Sequence, residues 1–450
     1  MRISQPAFPA PRALLVLALL PTALLLAACR TVDHGAASPD AAADRIRRDV
    51  AYLADDRLEG RATGTAGNDS AASWLARRHQ ALGLLPIVPE TARGTCSDVG
   101  QTRCRSFLQR FTARGAELAH AGKAEGVATQ NVVAMAPGRD HALDGKEVVV
   151  IGAHFDHLGR SPANALDQGD AIRNGADDNA SGTAAILELA RRFAANPARR
   201  AVVVVHFTGE ELGLLGSQWF VEHSPVPADG IVAMVNFDMV GRLRNDRLIV
   251  YGAATARELP ALIDSANVEP KLRINAVGDG FGPSDHSVFY AKGIPVLHFF
   301  TDLHDDYHRA TDDVEKVDAA GEARVVAVAE RVVRAIADRP GRLTPVRTAA
   351  APTMAPSRQG SNVYLGTIPD MATSDAPGLR LTGVRAGSPA DKGGLVAGDI
   401  IVSFAGRKVK DLYSYSEALY AHKPGDVVEL LYVRDGVPRT TTVTLGTRGQ

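Results

Sequence analysis

Cysteine is scarce, with 3 in 450 residues, and that scarcity excludes a closed all-cysteine zinc site. Charge bias is missing too: Lys+Arg 50 against Asp+Glu 51 leave a formal net charge of -1. No long basic block stands out, so the chain lacks the electrostatic footprint of a nucleic-acid binder. What the sequence does have is length and apolarity. With 45% hydrophobic side chains over 450 residues, it can bury a large core and hold more than one domain.

The amino terminus reads as an address rather than as part of the fold. Arg2 and Arg12 precede the apolar run 13–29, which is broken by Pro21 and ends in small residues, as an export signal does. A membrane-spanning helix is the alternative. Leu26-Ala27-Ala28-Cys29 resembles a bacterial lipobox, which implies cleavage before Cys29 and a lipid on that cysteine; an ordinary cleaved secretory signal is the other reading. The expectation is an exported protein, a membrane-anchored lipoprotein facing the periplasm or the cell exterior, and otherwise a secreted one. With Cys29 assigned to lipid, Cys96 and Cys104 remain, and an oxidising compartment permits them to pair and staple a surface loop. A close metal pair is the alternative for those two. After the signal (1–29), residues 30–43 are rich in Ala, Asp and Ser and read as a tether.

Folded protein is expected from Asp44, where DRIRRDVAYLAD carries apolar positions at helical spacing. Residues 58–70 look loop-like, 70–84 read as a helix, and 107–113 and 130–138 as strands. The stretch that organises the rest is KEVVVIGAHFDH (146–157). Its apolar run suits a strand covered on both faces. At its carboxyl end His154 and Asp156 share one side of an extended chain, so one can ligate a metal while the other fixes the imidazole. Strands 147–153, 201–207, 230–237, 247–251 and 294–299 then alternate with helices 182–195, 212–223, 256–267 and 320–338. That alternation predicts an α/β fold, a mostly parallel mixed sheet with helices on both faces.

In such sheets, sites gather where loops leave the carboxyl ends of the strands. GADDNASG (175–182) places Asp177 and Asp178 there, TGEELG (208–213) places Glu210 and Glu211, VNFDMVGR (235–242) places Asp238, and DDYHRATDD (305–313) places His308. Each has an ordinary alternative. Asp178 could cap the following helix, and the two glutamates could occupy a solvated first turn. Asp238 is harder to set aside, because a carboxylate between Phe237 and Met239 costs free energy unless it is paired or metal-bound.

Taken in order, HFDH, GADDNASG, TGEELGLLGS, NFDMVGR, GPSDH and YHRATDD resemble the co-catalytic di-zinc aminopeptidase family that includes aminopeptidase Y and bacterial leucyl aminopeptidases. The resemblance covers residues 44–338 and implies a zinc-aminopeptidase/phosphorylase-like fold. It also implies two zinc ions, with cobalt or manganese as substitutes. His154 and Asp238 would hold one ion, Glu211 and His308 the other, and Asp178 would bridge them across a cis Asp178–Asn179 peptide. It implies Glu210 as the proton-moving carboxylate, Asp156 as the residue orienting His154, and peptides as substrates. Tyr307 is a candidate donor to the developing oxyanion. Met239 and Phe281 are candidates for an apolar specificity pocket, with core packing as the alternative. The histidine of SDH (284–286) reads as structural or as supporting a ligand. No long insertion separates Phe111 from Asn131, which leaves the loop around Cys96 and Cys104 to shape the cleft.

Past Asp338 the composition changes to a Pro/Ala/Thr-rich linker (339–360), and residues 361–447 resemble a PDZ domain, a small β-rich unit. That resemblance implies a peptide or protein C-terminus held near Tyr364, Leu365, Gly366 and Thr367; a docking module without free ligand is the alternative. For the whole chain the leading expectation is an exported metalloaminopeptidase. A carboxypeptidase or dipeptidase on the same scaffold, a glutaminyl cyclase and a non-catalytic surface binding protein are the rivals.

Overall fold

The computed structural model describes residues 39–90, 105–114, 125–160, 171–269, 271–278, 282–346, 363–369, 378–384, 387–409 and 421–447, with Met1, Ala165, Asp167, Gly169, Gly280, Ser414, Tyr415, Ala418 and Leu419. The calls on the signal, on Cys29, Cys96 and Cys104, and on Phe281 lie outside these residues. No helix among the described residues is long and apolar enough to cross a membrane.

Two helices come first, α1 (Pro39–Leu53) and α2 (Ala66–Ala81). α1 starts before the expected Asp44 and takes in the end of the expected tether, because Ala42 and Ala43 are buried in the core. α2 starts at Ala66 rather than at Ser70. The Thr65 hydroxyl accepts the Asn68 N–H there, satisfying a donor that the helix start leaves open.

The nine strands of the main sheet are β1 (Leu85–Pro86), β2 (Leu108–Ala113), β3 (Val127–Ala136), β4 (Val148–His154), β5 (Ala201–Phe207), β6 (Ile231–Phe237), β7 (Arg247–Tyr251), β8 (Arg273–Ala276) and β9 (Val296–Phe300). Their order is β1-β3-β5-β4-β6-β9-β7-β8, with β2 on β3. The expected mixed sheet is formed, and its parallel part is central. The central strands β5, β4, β6 and β9 are parallel, as are β7 and β8, but β1, β2, β5 and β9 each make an antiparallel pairing with β3 or β7.

The central apolar runs are buried along their whole length, and alternate residues face opposite layers. Val149 and Ile151 meet α1, α2, α3 (Gly182–Ala195), α5 (Leu259–Ala266) and α7 (Ala319–Ala337). Val148 and Val150 meet α4 (Leu215–Glu222) and α6 (His286–Ala291). Parallel register sets Ala153 beside His206 and Gly152 beside Asn236. The strands therefore end level, and their following loops leave from one edge.

Residues 339–346, expected as the start of the linker, stay packed on this domain. Leu343 belongs to its core, and Val346 donates its N–H to the Thr255 carbonyl. The C-terminal unit contains β10 (Thr367–Pro369), β11 (Leu379–Val384), α8 (Pro389–Lys392), β12 (Ile400–Phe404), β13 (Val427–Arg434) and β14 (Val437–Thr444). Its strands follow in the order β10-β11-β12-β13-β14 around their own apolar core, which includes Leu381, Phe404 and Leu430. Ser388 caps α8 ahead of Pro389.

Candidate metal centre

Four parallel strand ends supply the expected ligands. His154 closes β4, Glu210 and Glu211 follow β5, Asp238 follows β6, and the loop after β9 carries His308. The fifth, Asp178, comes from the turn between β4 and α3, where the Asp178–Asn179 peptide is cis. Asn179 ties that turn to β6: its amide donates to the Phe237 carbonyl at 2.9 Å and its oxygen accepts the N–H of Gly182 and of Met239. A Cβ on Gly182 would lie 2.4 Å from the same Phe237 oxygen. Only glycine lets α3 start this close to the end of β6.

Asp178 thus stands between imidazoles. Its Oδ1 is 3.4 Å from His154 Nε2, and its Oδ2 is 3.2 Å from His308 Nε2. Asp238 Oδ1 also lies 3.4 Å from His154 Nε2, and Glu211 Oε2 lies 3.1 Å from His308 Nε2. His154 Nδ1 sits 3.1 Å from the Asp156 carbonyl oxygen, which assigns the proton to Nδ1 and turns the Nε2 lone pair toward two carboxylates. Asp156 is expected from the sequence to orient His154, and the atom that does so is its backbone oxygen. Its carboxylate is 3.7 Å from the ring and instead accepts the Thr63 hydroxyl (2.8 Å) and the Glu210 N–H (3.3 Å).

Lone pairs facing carboxylates at these distances require a positive charge among them. Burial opposes charging His154, yet Asp238 and Glu210 hold it well above the ordinary imidazole range; His308 behaves alike, with Glu211 and Asp178 overcoming burial. Burial would raise Glu211, but His308 and His157 together outweigh it and bring the carboxyl to about 2. Asp178 Oδ2 is buried without a well-aligned hydrogen bond. Three groupings, His154/Asp178/Asp238, His154/Glu210/Glu211 and His157/Asp178/Glu211, each bring ligand atoms within 4.8 Å of one another. Imidazole nitrogens and carboxylate oxygens in this proportion fit a zinc-type cation.

Glu210 lines the pocket. Burial raises its carboxyl well above the usual range, and the charges of Glu211, Asp285 and Asp238 add to this against His154. Tyr307 stacks on His308 with ring centroids 3.8 Å apart. Burial, then Asp178 and Glu211, hold its phenol well above the ordinary value, so it remains a donor. Met239 and Tyr307 line the same pocket with His298 and Phe300, and Met239 and Phe300 belong to an apolar cluster beside it. His286 is buried and stacks on His298 at 4.3 Å, in a structural position.

Several residues that support the site carried no decisive signal in the sequence. Arg61 is fully buried, and its guanidinium donates to the carbonyls of Leu53, Phe155, Asn174 and Gly175. It thereby fixes both the HFDH and the GADDNASG segments from beneath. Burial lowers its pKa to about 10. Ser284 donates to Asp238 Oδ2 at 2.8 Å and accepts from Asn236 at 2.8 Å. Arg61 sits in the loop-like stretch 58–70 and Ser284 in GPSDH, but nothing in their spacing separates them from ordinary loop residues.

The fold and site define an α/β domain with a cluster of candidate metal ligands at its strand ends. Residues 131–333 match Peptidase family M28 and residues 363–445 match the PDZ domain. The M28 match takes in the strand ends and the loops of the site, and the PDZ match takes in the C-terminal unit. A probable zinc metalloprotease of Pyrenophora tritici-repentis is 43% identical over 90 residues, covering 20% of this chain and 20% of that protein. Aminopeptidase YwaD of Bacillus subtilis is 28% identical over 225 residues, covering 45% of each. These matches span less than half the length of the curated relatives. A Zn-dependent exopeptidase from Parabacteroides distasonis shares the fold at 17% identity with a TM-score of 0.50, over 66% of this chain and 98% of that one.

Proposed function

We propose that this protein is an exported aminopeptidase that uses two zinc ions and removes amino-terminal residues from peptides. The observation that carries the reading is the charge of the pocket. Its lining holds Asp178, Glu210 and Asp238 and, among the described residues, no Lys or Arg. With Asp178 and Asp238 offset by the proposed ions, Glu210 is left to meet a substrate α-ammonium, whereas the lining offers, among the described residues, no Lys or Arg to pair the terminal carboxylate of a carboxypeptidase substrate.

His154, Asp178 and Asp238 would hold one ion, and His308, Glu211 and Asp178 the other. When bound there, such ions would supply Lewis acidity toward the scissile carbonyl and toward a water. Glu210 is the general base. Its backbone N–H is fixed by Asp156, its side chain reaches the pocket, and it takes the water's proton and returns it to the leaving amine. Tyr307, kept protonated, donates to the developing oxyanion. Met239, Phe300 and His298 form a wall against the substrate side chain. The amino-terminal pattern around Cys29 supports export and a lipid anchor, and the YLGT segment supports capture of a peptide C-terminus by the PDZ domain.

The test uses residues 31–450 on free and amino-blocked peptides, with and without chelator, beside Glu210→Ala. Stepwise loss of free amino-terminal residues, abolished by both treatments, is the expected result. Equal cleavage of blocked peptides from the carboxyl end would overturn the direction of attack. Radiolabelled fatty acid incorporated into the full chain but not into Cys29→Ser is the expected mark of the anchor.

A further inference from the structure

The residue in the centre that the expected ligand set leaves out is His157. It lies three residues past His154, so one strand end sends two imidazoles to opposite sides of Asp178. His154 meets Asp178 Oδ1 and Asp238. His157 turns to the other side, with Nδ1 2.8 Å from Glu211 Oε1 and 3.8 Å from Asp178 Oδ2. Its ring meets that of His308 edge-on, with centroids 5.7 Å apart.

The polar contacts of this imidazole go to Glu211 and Asp178 of the site. It is fully buried, and its Nε2 has no hydrogen-bond partner among the described residues. Burying a polar ring with one nitrogen unpaired costs free energy unless the other nitrogen returns it. The space for the ring is made by Gly175, where a Cβ would stand 2.4 Å from His157 Cγ. An ionised Glu211 can only accept, so the 2.8 Å contact is a hydrogen bond donated by Nδ1–H. That bond occupies Oε1 and leaves Oε2 directed at His308, from which it is 3.1 Å.

We propose that His157 is a positioning residue of the second metal position: by holding Glu211 Oε1 it makes Glu211 present Oε2 alone to the cation shared with His308. This rests on the two-metal reading above. Without His157, Glu211 loses the bond that occupies Oε1 and can bind through both oxygens, and the position loses affinity while the His154/Asp238 position does not. Outer partners of this kind are worth about 10–100-fold in metal affinity.

The experiment compares the unaltered chain, His157→Leu and His157→Gln, all first stripped of metal. Zinc equivalents and affinities are measured by calorimetry, the absorption spectrum with cobalt is recorded, and circular dichroism reports folding. Two equivalents on the unaltered chain are the precondition; one or none sinks the two-metal reading itself and is thereby distinguished from failure of the present inference. The expected result is one equivalent weakened at least tenfold in His157→Leu with the other unchanged. His157→Gln, whose amide can still donate to Oε1, recovers most of the loss. Two equivalents of unchanged affinity in a folded His157→Leu would overturn the proposal. So would a glutamine variant as weak as leucine with an altered cobalt spectrum, which would make His157 a direct ligand. If the leucine variant does not fold, the glutamine variant decides by its spectrum and its second-site affinity.

Discussion

Asp312 and Asp178 are joined through the backbone: one carboxylate oxygen of Asp312 accepts the Asp178 N–H at 3.0 Å and the neighbouring Asp177 N–H at 2.9 Å. The other oxygen of Asp312 receives Arg242 at 2.8 Å. Because Asp312 follows His308 by four residues, a single buried carboxylate locks the turn that carries one candidate ligand to the loop that carries another. Asp312→Ala should therefore lower metal affinity and kcat together by about 10–100-fold. Titration of the metal-free variant with zinc, set beside peptide turnover, checks this; weaker binding with unchanged kcat at saturating zinc would contradict it.

Among the described residues, Arg61 has no carboxylate at hydrogen-bond distance and donates to four carbonyls. Replacing it with methionine leaves those acceptors buried and unpaired. Arg61→Met should lose at least about 3 kcal/mol of stability, read from urea unfolding. A loss below 1 kcal/mol, roughly that of an ordinary surface change, would show that water replaces the guanidinium.

Glu210→Gln keeps the size of the side chain and removes its ability to take a proton. Turnover is expected to fall by about 10²–10⁴-fold while zinc binding stays intact, since Glu210 is not among the ligands of the proposed two ions. Loss of a zinc equivalent in this variant would make Glu210 a ligand.

A buried pH-sensitive pair joins α2 to β5, outside the proposed ligand set. His79 on α2 and His206 on β5 share a hydrogen bond between their Nε2 atoms at 2.9 Å, and both are fully buried. Burial, with a contribution from the Arg191 charge, lowers His79 to about 3; burial and His79 lower His206 well below its ordinary value. Folded pKa values below the unfolded 6.5 mean that the unfolded chain binds more protons in this window. Stability is then complete above pH 6.5 and declines as pH falls toward 3, by about 1.4 kcal/mol per pH unit for each imidazole. Unfolding midpoints measured between pH 7 and pH 5 should fall for the native chain and fall less for His79→Gln. Equal slopes would mean that the pair is solvated.

Metal removal should also lower stability. A cation bound only by the folded chain at one hundred times its Kd adds about 2.7 kcal/mol, so the thermal midpoint is expected to drop on chelation and to return with zinc.

Much of this was legible from local pattern. The strands 201–207 and 247–251 and the helix 182–195 have the bounds read from the sequence, because uninterrupted β-branched runs and a glycine-started apolar helix depend on neighbours in sequence. His154, Asp178, Glu210, Glu211, Asp238 and His308 also fall together as expected, since parallel strands of similar length end on one edge. The antiparallel flanks of the sheet, the early start of α1 and the packing of Leu343 were not legible. Each depends on what a segment meets across space.

The sequence alone determined which residue types stand at the strand ends, and hence that a cation-holding cluster of imidazoles and carboxylates could form. Tertiary structure decided the roles within it. It gave the orientation of His154 to the carbonyl of Asp156, placed Arg61 beneath both loops, and set His157 against Glu211. The physical reason is that a side chain's chemistry is carried by its identity, whereas its partner is fixed only when distant segments pack and leave each buried polar atom one place to go.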